Sequence, residues 1–120
     1  MERIWRAAAA ALFLMVTACS SAPSPQEQTE NTERAAMTPL KTKYPEVVMG
    51  FDFHGPVADV SVDSNAELDM DDSVEDAMRN QAFTMWRAAW QKTHPGEHAT
   101  LTVRILDFRG LVTWKKSGKV

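Results

Sequence analysis

The chain has 120 residues, a single cysteine, and 13 basic against 16 acidic side chains, for a formal charge of −3. That length holds at most one domain beyond any targeting segment. A lone thiol excludes an internal disulfide, so an apolar core must hold the fold. The acidic balance argues against nucleic-acid binding, which needs a basic face to meet phosphates.

In chain order, Met1 to Arg6 is a short positive segment carrying Arg3 and Arg6, followed by the uncharged apolar run "AAAAALFLMV", Ala7 to Val16. A membrane-spanning helix needs about 20 apolar residues. A run of about half that length suits a secretory signal. Next comes Val16-Thr17-Ala18-Cys19. This pattern, aliphatic, small, Ala, Cys, resembles the lipobox of bacterial lipoproteins. The resemblance implies that residues 1–18 are a cleaved signal peptide. It also implies that Cys19 becomes the first mature residue, carrying diacylglycerol on its thiol and an acyl group such as palmitate on its amine. Two or three chains anchor a protein stably, because each buried CH2 contributes about 0.8 kcal/mol and one chain alone is marginal. By the same resemblance, Ser20 after the lipidated Cys permits passage to the outer membrane, where Asp would favour the inner one.

Residues 19–43 follow as the lipidated Cys and a linker. From Ser20 to Lys43 the sequence is rich in Ser, Pro, Glu, Gln and Thr and poor in large apolar side chains. Such a segment is expected to stay disordered, with at most a short helix over Glu30 to Met37. As a tether it would reach roughly 25–30 Å.

The folded domain is expected over 44–120. In "PEVVMGFDFHG", Val47, Met49, Phe51 and Phe53 alternate with Val48, Gly50, Asp52 and His54, which predicts a half-buried strand. Gly55-Pro56 breaks it, and "VADVSVD" resumes with Ala58, Val60 and Val62 inward, predicting a hairpin. Asp72 and Glu75 read as a capping box opening a helix from Ser73 to Thr93 that ends at His94-Pro95-Gly96. Its apolar face is Val74, Met78, Ala82, Met85, Trp86 and Ala89, with Phe83 and Trp90 at the edge of the arc. A strand with Leu101, Val103 and Ile105 inward follows, then a turn at Arg109-Gly110 and a last strand through "LVTWKK". The fold class is therefore α+β, a two-layer domain with an antiparallel sheet in the order strand-strand-helix-strand-strand packed on one helix.

This order over Pro45 to Phe108 is similar in topology to the carboxy-terminal domains of the periplasm-spanning proteins TonB and TolA. The likeness implies binding to an envelope protein by strand addition and loops. This chain differs from them in its expected lipid anchor, which stands in place of a spanning helix.

Four groups of residues are candidate sites. His94 and His98 in "HPGEH", with His54 elsewhere, are potential zinc or copper ligands. The first two straddle a Pro-Gly break instead of sharing a helical face, so exposed helix-end histidines are the expected reading. The acidic run Asp63 to Asp76 has the alternating oxygens of an EF-hand loop at Asp63, Asn65, Glu67, Asp69 and Asp71. However, Leu68 stands where Gly is required and Val74 where Glu is required, so a solvated loop and an acidic helix start are expected. Phe83, Trp86 and Trp90, with Trp114, are spaced to pack between helix and sheet. Phe83 and Trp90, flanked by Arg79 and Arg87, are also candidates for an exposed partner anchor. Arg104, Arg109, Lys115, Lys116 and Lys119 form a basic tail suited first to guarding an edge strand, and otherwise to meeting anionic headgroups or an acidic partner.

No nucleophile motif, phosphate loop or carboxylate pair in an identifiable pocket is legible, so no enzymatic activity and no cofactor are expected. The expectation is a periplasm-facing lipoprotein, outer rather than inner membrane, held by lipid at Cys19 and binding an envelope protein. The alternative is a lipoprotein that binds metal or a small ligand through His54, His94 and His98.

Overall fold

A computed structural model describes residues 22–120. The expected signal segment 1–18 and Cys19 lie outside them. Helix α1 spans Pro25–Lys43. Ser24 caps it, its hydroxyl accepting the Glu27 N–H at 3.2 Å, and Pro25 takes the first turn, where its missing N–H would have had no partner. Glu27 near the start and Lys41 and Lys43 near the end match the helix dipole.

The disordered linker expected within 19–43 is therefore corrected over most of its length. Glu33, Ala36, Met37, Leu40 and Tyr44 recur at helical spacing, and Met37 and Leu40 are fully buried. Each such burial contributes about 1.5–3 kcal/mol, enough for a short apolar stripe to dock an otherwise polar helix. The packed unit thus begins well before Tyr44.

Strands β1 (Val48–His54) and β2 (Val57–Val62) form the expected hairpin. Gly55 turns it at φ +57°, a conformation that two-residue hairpin turns require. Within β1 the alternation departs from expectation. Val48 pairs with Val62 but Gly50 with Ser61, so Met49 is an extra residue at a bulge and is exposed. One inserted residue shifts the pleat. Val48 therefore points inward where Met49 was expected to, while Phe53 keeps its place in the core.

A short helix α2 (Ser64–Leu68) follows, capped by the Asp63 carboxylate, which accepts the Ala66 N–H at 3.0 Å. Helix α3 spans Asp72–Thr93. Its cap residue is Asp71, with no side-chain cap bond, and Glu75 pairs forward with Arg79 at 3.1 Å. The expected Asp72–Glu75 capping box is thus not formed. Strands β3 (Thr100–Leu106) and β4 (Val112–Lys119) complete the chain. Between them Asp107 accepts N–H bonds from Arg109 and Leu111, and Gly110 adopts φ +80°. These bonds, that from Leu111 first, hold the Asp107 carboxyl below the usual carboxylate range.

The sheet order is β1-β2-β3-β4, with β1–β2 and β3–β4 antiparallel but β2–β3 parallel. The α+β class holds; the all-antiparallel sheet on a single helix does not. The reason is the length of α3. Its 22 residues cover about 33 Å, which returns the chain to the starting end of β2, so β3 can only run parallel to it. Two helices, α1 and α3, rather than one, share the core with the sheet. They run antiparallel, with Tyr44 Oη donating to Gln81 at one end and Thr93 Oγ1 meeting Glu33 at the other. At the centre lies Trp86, fully buried, its indole N–H donating to the Pro56 carbonyl at 2.9 Å and its ring stacked on Phe53.

Candidate functional site

The aromatic residues expected to anchor a partner are core. Phe83 is 7% and Trp90 8% exposed. Phe83 lies under β4, so close to Gly118 that a Cβ there would stand 2.8 Å from its ring. The Lys116 ammonium and the Arg87 guanidinium sit over the Phe83 ring at 5.2 and 6.0 Å. Trp90 meets Trp86 edge-on and stacks on the His94 imidazole at 3.6 Å. Of the expected trio only Arg87 is exposed. The helix-arc pattern placed Phe83 and Trp90 at an edge because it assumed one covering layer. Strand β4 covers the first, and His94 the second.

The three histidines have separate partners. His54 Nε2 lies 3.3 Å from both Asp52 and Asp59. His94 Nδ1 meets Thr93 Oγ1 at 2.8 Å, and His98 Nδ1 meets the Val120 carbonyl at 3.0 Å. Among the described residues no group of three or more His, Cys, Asp or Glu side chains could hold a metal ion. The structure therefore does not assemble His54, His94 and His98 into one site.

A cleft of about 300 Å³ opens between the start of α1, the β1–β2 turn and the end of α3, lined by Glu30, Glu33, Phe53, Gly55 and His94. Burial raises the Glu33 carboxyl above its ordinary range, opposed by the nearby His94 and by Thr93. Sequence reading missed this group because it placed α1 outside the domain. The available signal was the spacing of Glu33, Met37 and Leu40.

The helix-free face of the sheet carries a polar network. Asp59, 3% exposed, accepts two bonds from Arg104 and lies beside His54. Thr102 and Ser117 hydroxyls meet at 2.8 Å. The basic tail is divided by these contacts: Arg104 belongs to Asp59, Arg109 to Asp107, and Lys116 to the Asn80 side chain. Lys115 and Lys119 remain exposed on β4.

Strand β4 is the last of the sheet, so one side of its eight-residue backbone has no strand partner among the described residues. The acidic run does not form an EF-hand loop, since Ser64–Leu68 within it is helical. Burial, and next the Glu75 charge, raise the Glu67 carboxyl above its ordinary range, with Arg79 opposing. Among the described residues no helix is long and apolar enough to cross a membrane. No family model, curated protein or solved structure matches the chain.

Proposed function

We propose that the chain is a non-enzymatic lipoprotein of the cell envelope, anchored by lipid on Cys19, facing the periplasm from the outer membrane, and docking its α+β domain onto another envelope protein. The observation that supports docking is the edge of β4. Eight residues of strand at the margin of a well-packed sheet offer N–H and C=O groups to an added strand. Lysines along that edge discourage indiscriminate pairing and leave room for a selected partner.

A photocrosslinking residue at Lys119 of the full-length chain, in the native host, tests the docking. One discrete envelope protein should be trapped. An untrapped, freely diffusing monomer would sink the reading. For the anchor, Cys19→Ser should abolish labelling with a clickable palmitate and release the protein from membranes.

A second reading, small-ligand or metal binding, is favoured by the placement of His94 and Glu33 on one 300 Å³ cleft. Calorimetric titration with Zn2+ and Cu2+ checks it. Micromolar binding lost on His94→Ala would make this reading the better one.

A further inference from the structure

The exposed large apolar side chains among the described residues are not scattered. They are Met49, Leu68, Val74, Phe108, Leu111 and Val112, with Leu68 and Phe108 each 81% exposed. The sheet register puts Val48 opposite Val62, Ser61 opposite Leu106, and Leu106 opposite Val112. One lateral row therefore closes a single end of the sheet, and Met49 and Val112 stand at its two margins. Leu68 follows the end of β2, Phe108 and Leu111 lie in the β3–β4 turn, and Val74 is in the first turn of α3. All six belong to this one pole. Single exposed apolar residues need no explanation, but a gathering at one pole marks a contact surface.

The charges at the same pole state what kind of contact. Seven carboxylates occupy Asp63 to Asp76, a stretch without a basic residue before Arg79 joins Glu75. Asp69, Asp71 and Asp72 are exposed and form no ion pair among the described residues. Arg109, the one cation in the β3–β4 turn, is engaged by Asp107. Lys41 and Lys43, at the end of α1, lie at the Met49 margin of this pole, where the Tyr44 carbonyl accepts the Val48 N–H at 2.9 Å, and the seven carboxylates outnumber them.

An anionic lipid surface and a second copy of this acidic pole are both repelled. The chain also enters the domain at the opposite pole, where Pro25 shares a surface depression with Lys92 and Thr93. Cys19 precedes Pro25 by six residues, which span at most about 20 Å when extended, less than the roughly 28 Å length of α1. A lipid on Cys19 would thus attach the chain at the pole opposite the apolar one.

We propose that this pole docks a basic amphipathic segment of an envelope protein, its large apolar side chains seated between Leu68 and Phe108 and its Lys or Arg groups on Asp69, Asp71 and Asp72. This rests on the interaction-module reading and supplies it with a partner chemistry and a place. Complementary charge sets the orientation and speeds encounter, while the apolar centre holds the complex.

The test uses the full-length chain in its native host with a photocrosslinking residue at Leu68 or Phe108, a control at Glu97 on the opposite pole, and Lys119 as the separate probe of the β4 edge. Leu68 and Phe108 should both trap the same protein, through a linked peptide of net positive charge bearing large apolar residues. Asp69→Lys with Asp71→Lys should lower that yield at least tenfold. Asp69→Lys alone, outside α3, should lower it severalfold without affecting the unfolding midpoint. Trapping of a second copy, of lipid or of an acidic peptide would overturn the proposal, as would yields indifferent to the charge reversals. Adducts from Lys119 alone would overturn it while leaving the interaction module standing. Silence at every position would remove both.

Discussion

Asp59 and Arg104 face each other across the parallel β2–β3 pair and are joined at two points, Nε to Oδ1 at 2.6 Å and Nη2 to Oδ2 at 2.8 Å. The register also sets Asp52 directly opposite Asp59 on the other side, an unfavourable pairing of like charges that Arg104 offsets. The Arg104 hydrogen bond, and then the Asp59 charge, hold the guanidinium in its charged form still more firmly than usual.

Arg104→Ala removes both guanidinium bonds from the buried Asp59 carboxylate and leaves only His54 beside it. The expected cost is about 2–3 kcal/mol, below the range for a wholly buried pair because Arg104 itself is partly exposed to water. Asp59→Asn should cost less, since Arg104 can then hydrate. Urea unfolding of both variants checks the order; equal costs would contradict the asymmetry.

Leu40→Ala tests whether α1 is part of the fold. A fully buried leucine should cost about 2–5 kcal/mol when truncated, whereas a residue on a floppy tether would cost nothing measurable. The thermal midpoint of the variant decides between them.

Glu33 sets an expected pH dependence. Its raised carboxyl binds a proton more readily in the folded chain than in the unfolded one, where it titrates near 4.5. That contribution to stability is fully present below the unfolded value and is lost as pH rises through the raised folded value. Glu33→Gln should therefore raise Tm by a few degrees at pH 7, and the gain should vanish below about pH 4. A gain that persists in acid would assign the effect to packing instead.

Gly118 is held by its neighbour. A Cβ there would meet Phe83 at 2.8 Å, so Gly118→Ala must displace the Phe83 ring or the β4 backbone. The expected loss is about 1–3 kcal/mol. Pairing the change with Phe83→Leu should recover part of it, which a double-mutant cycle would read directly.

Local signals in the sequence determined the elements from β1 onward, except the short helix α2, which stands where a solvated loop is expected. The β1–β2 hairpin is written in Gly55-Pro56, the inward set Ala58, Val60, Val62, Leu101, Val103 and Ile105 in strict alternation, and the span of α3 in its long period ending at His94-Pro95-Gly96. Each depends on near neighbours in the chain, and period and turn chemistry report near neighbours. Three things were decided only in the tertiary structure. The polar composition of residues 25–43 conceals a helix whose two large apolar residues, Met37 and Leu40, matter only once α3 and β1 are there to receive them. The bulge at Met49 reverses which of two adjacent hydrophobic residues faces the core, a choice made by pairing with β2. The direction of β3 follows from the distance α3 must cross. The same dependence governs the surface. Phe83 and Trp90 look like an exposed edge on a helical wheel but are covered by β4 and His94, while Met49, Leu68 and Phe108, far apart in sequence, lie toward one pole because the sheet register sets the start of β1 and the ends of β2 and β3 side by side. Exposure is a property of what packs on top of a residue, and that is set by long-range pairing.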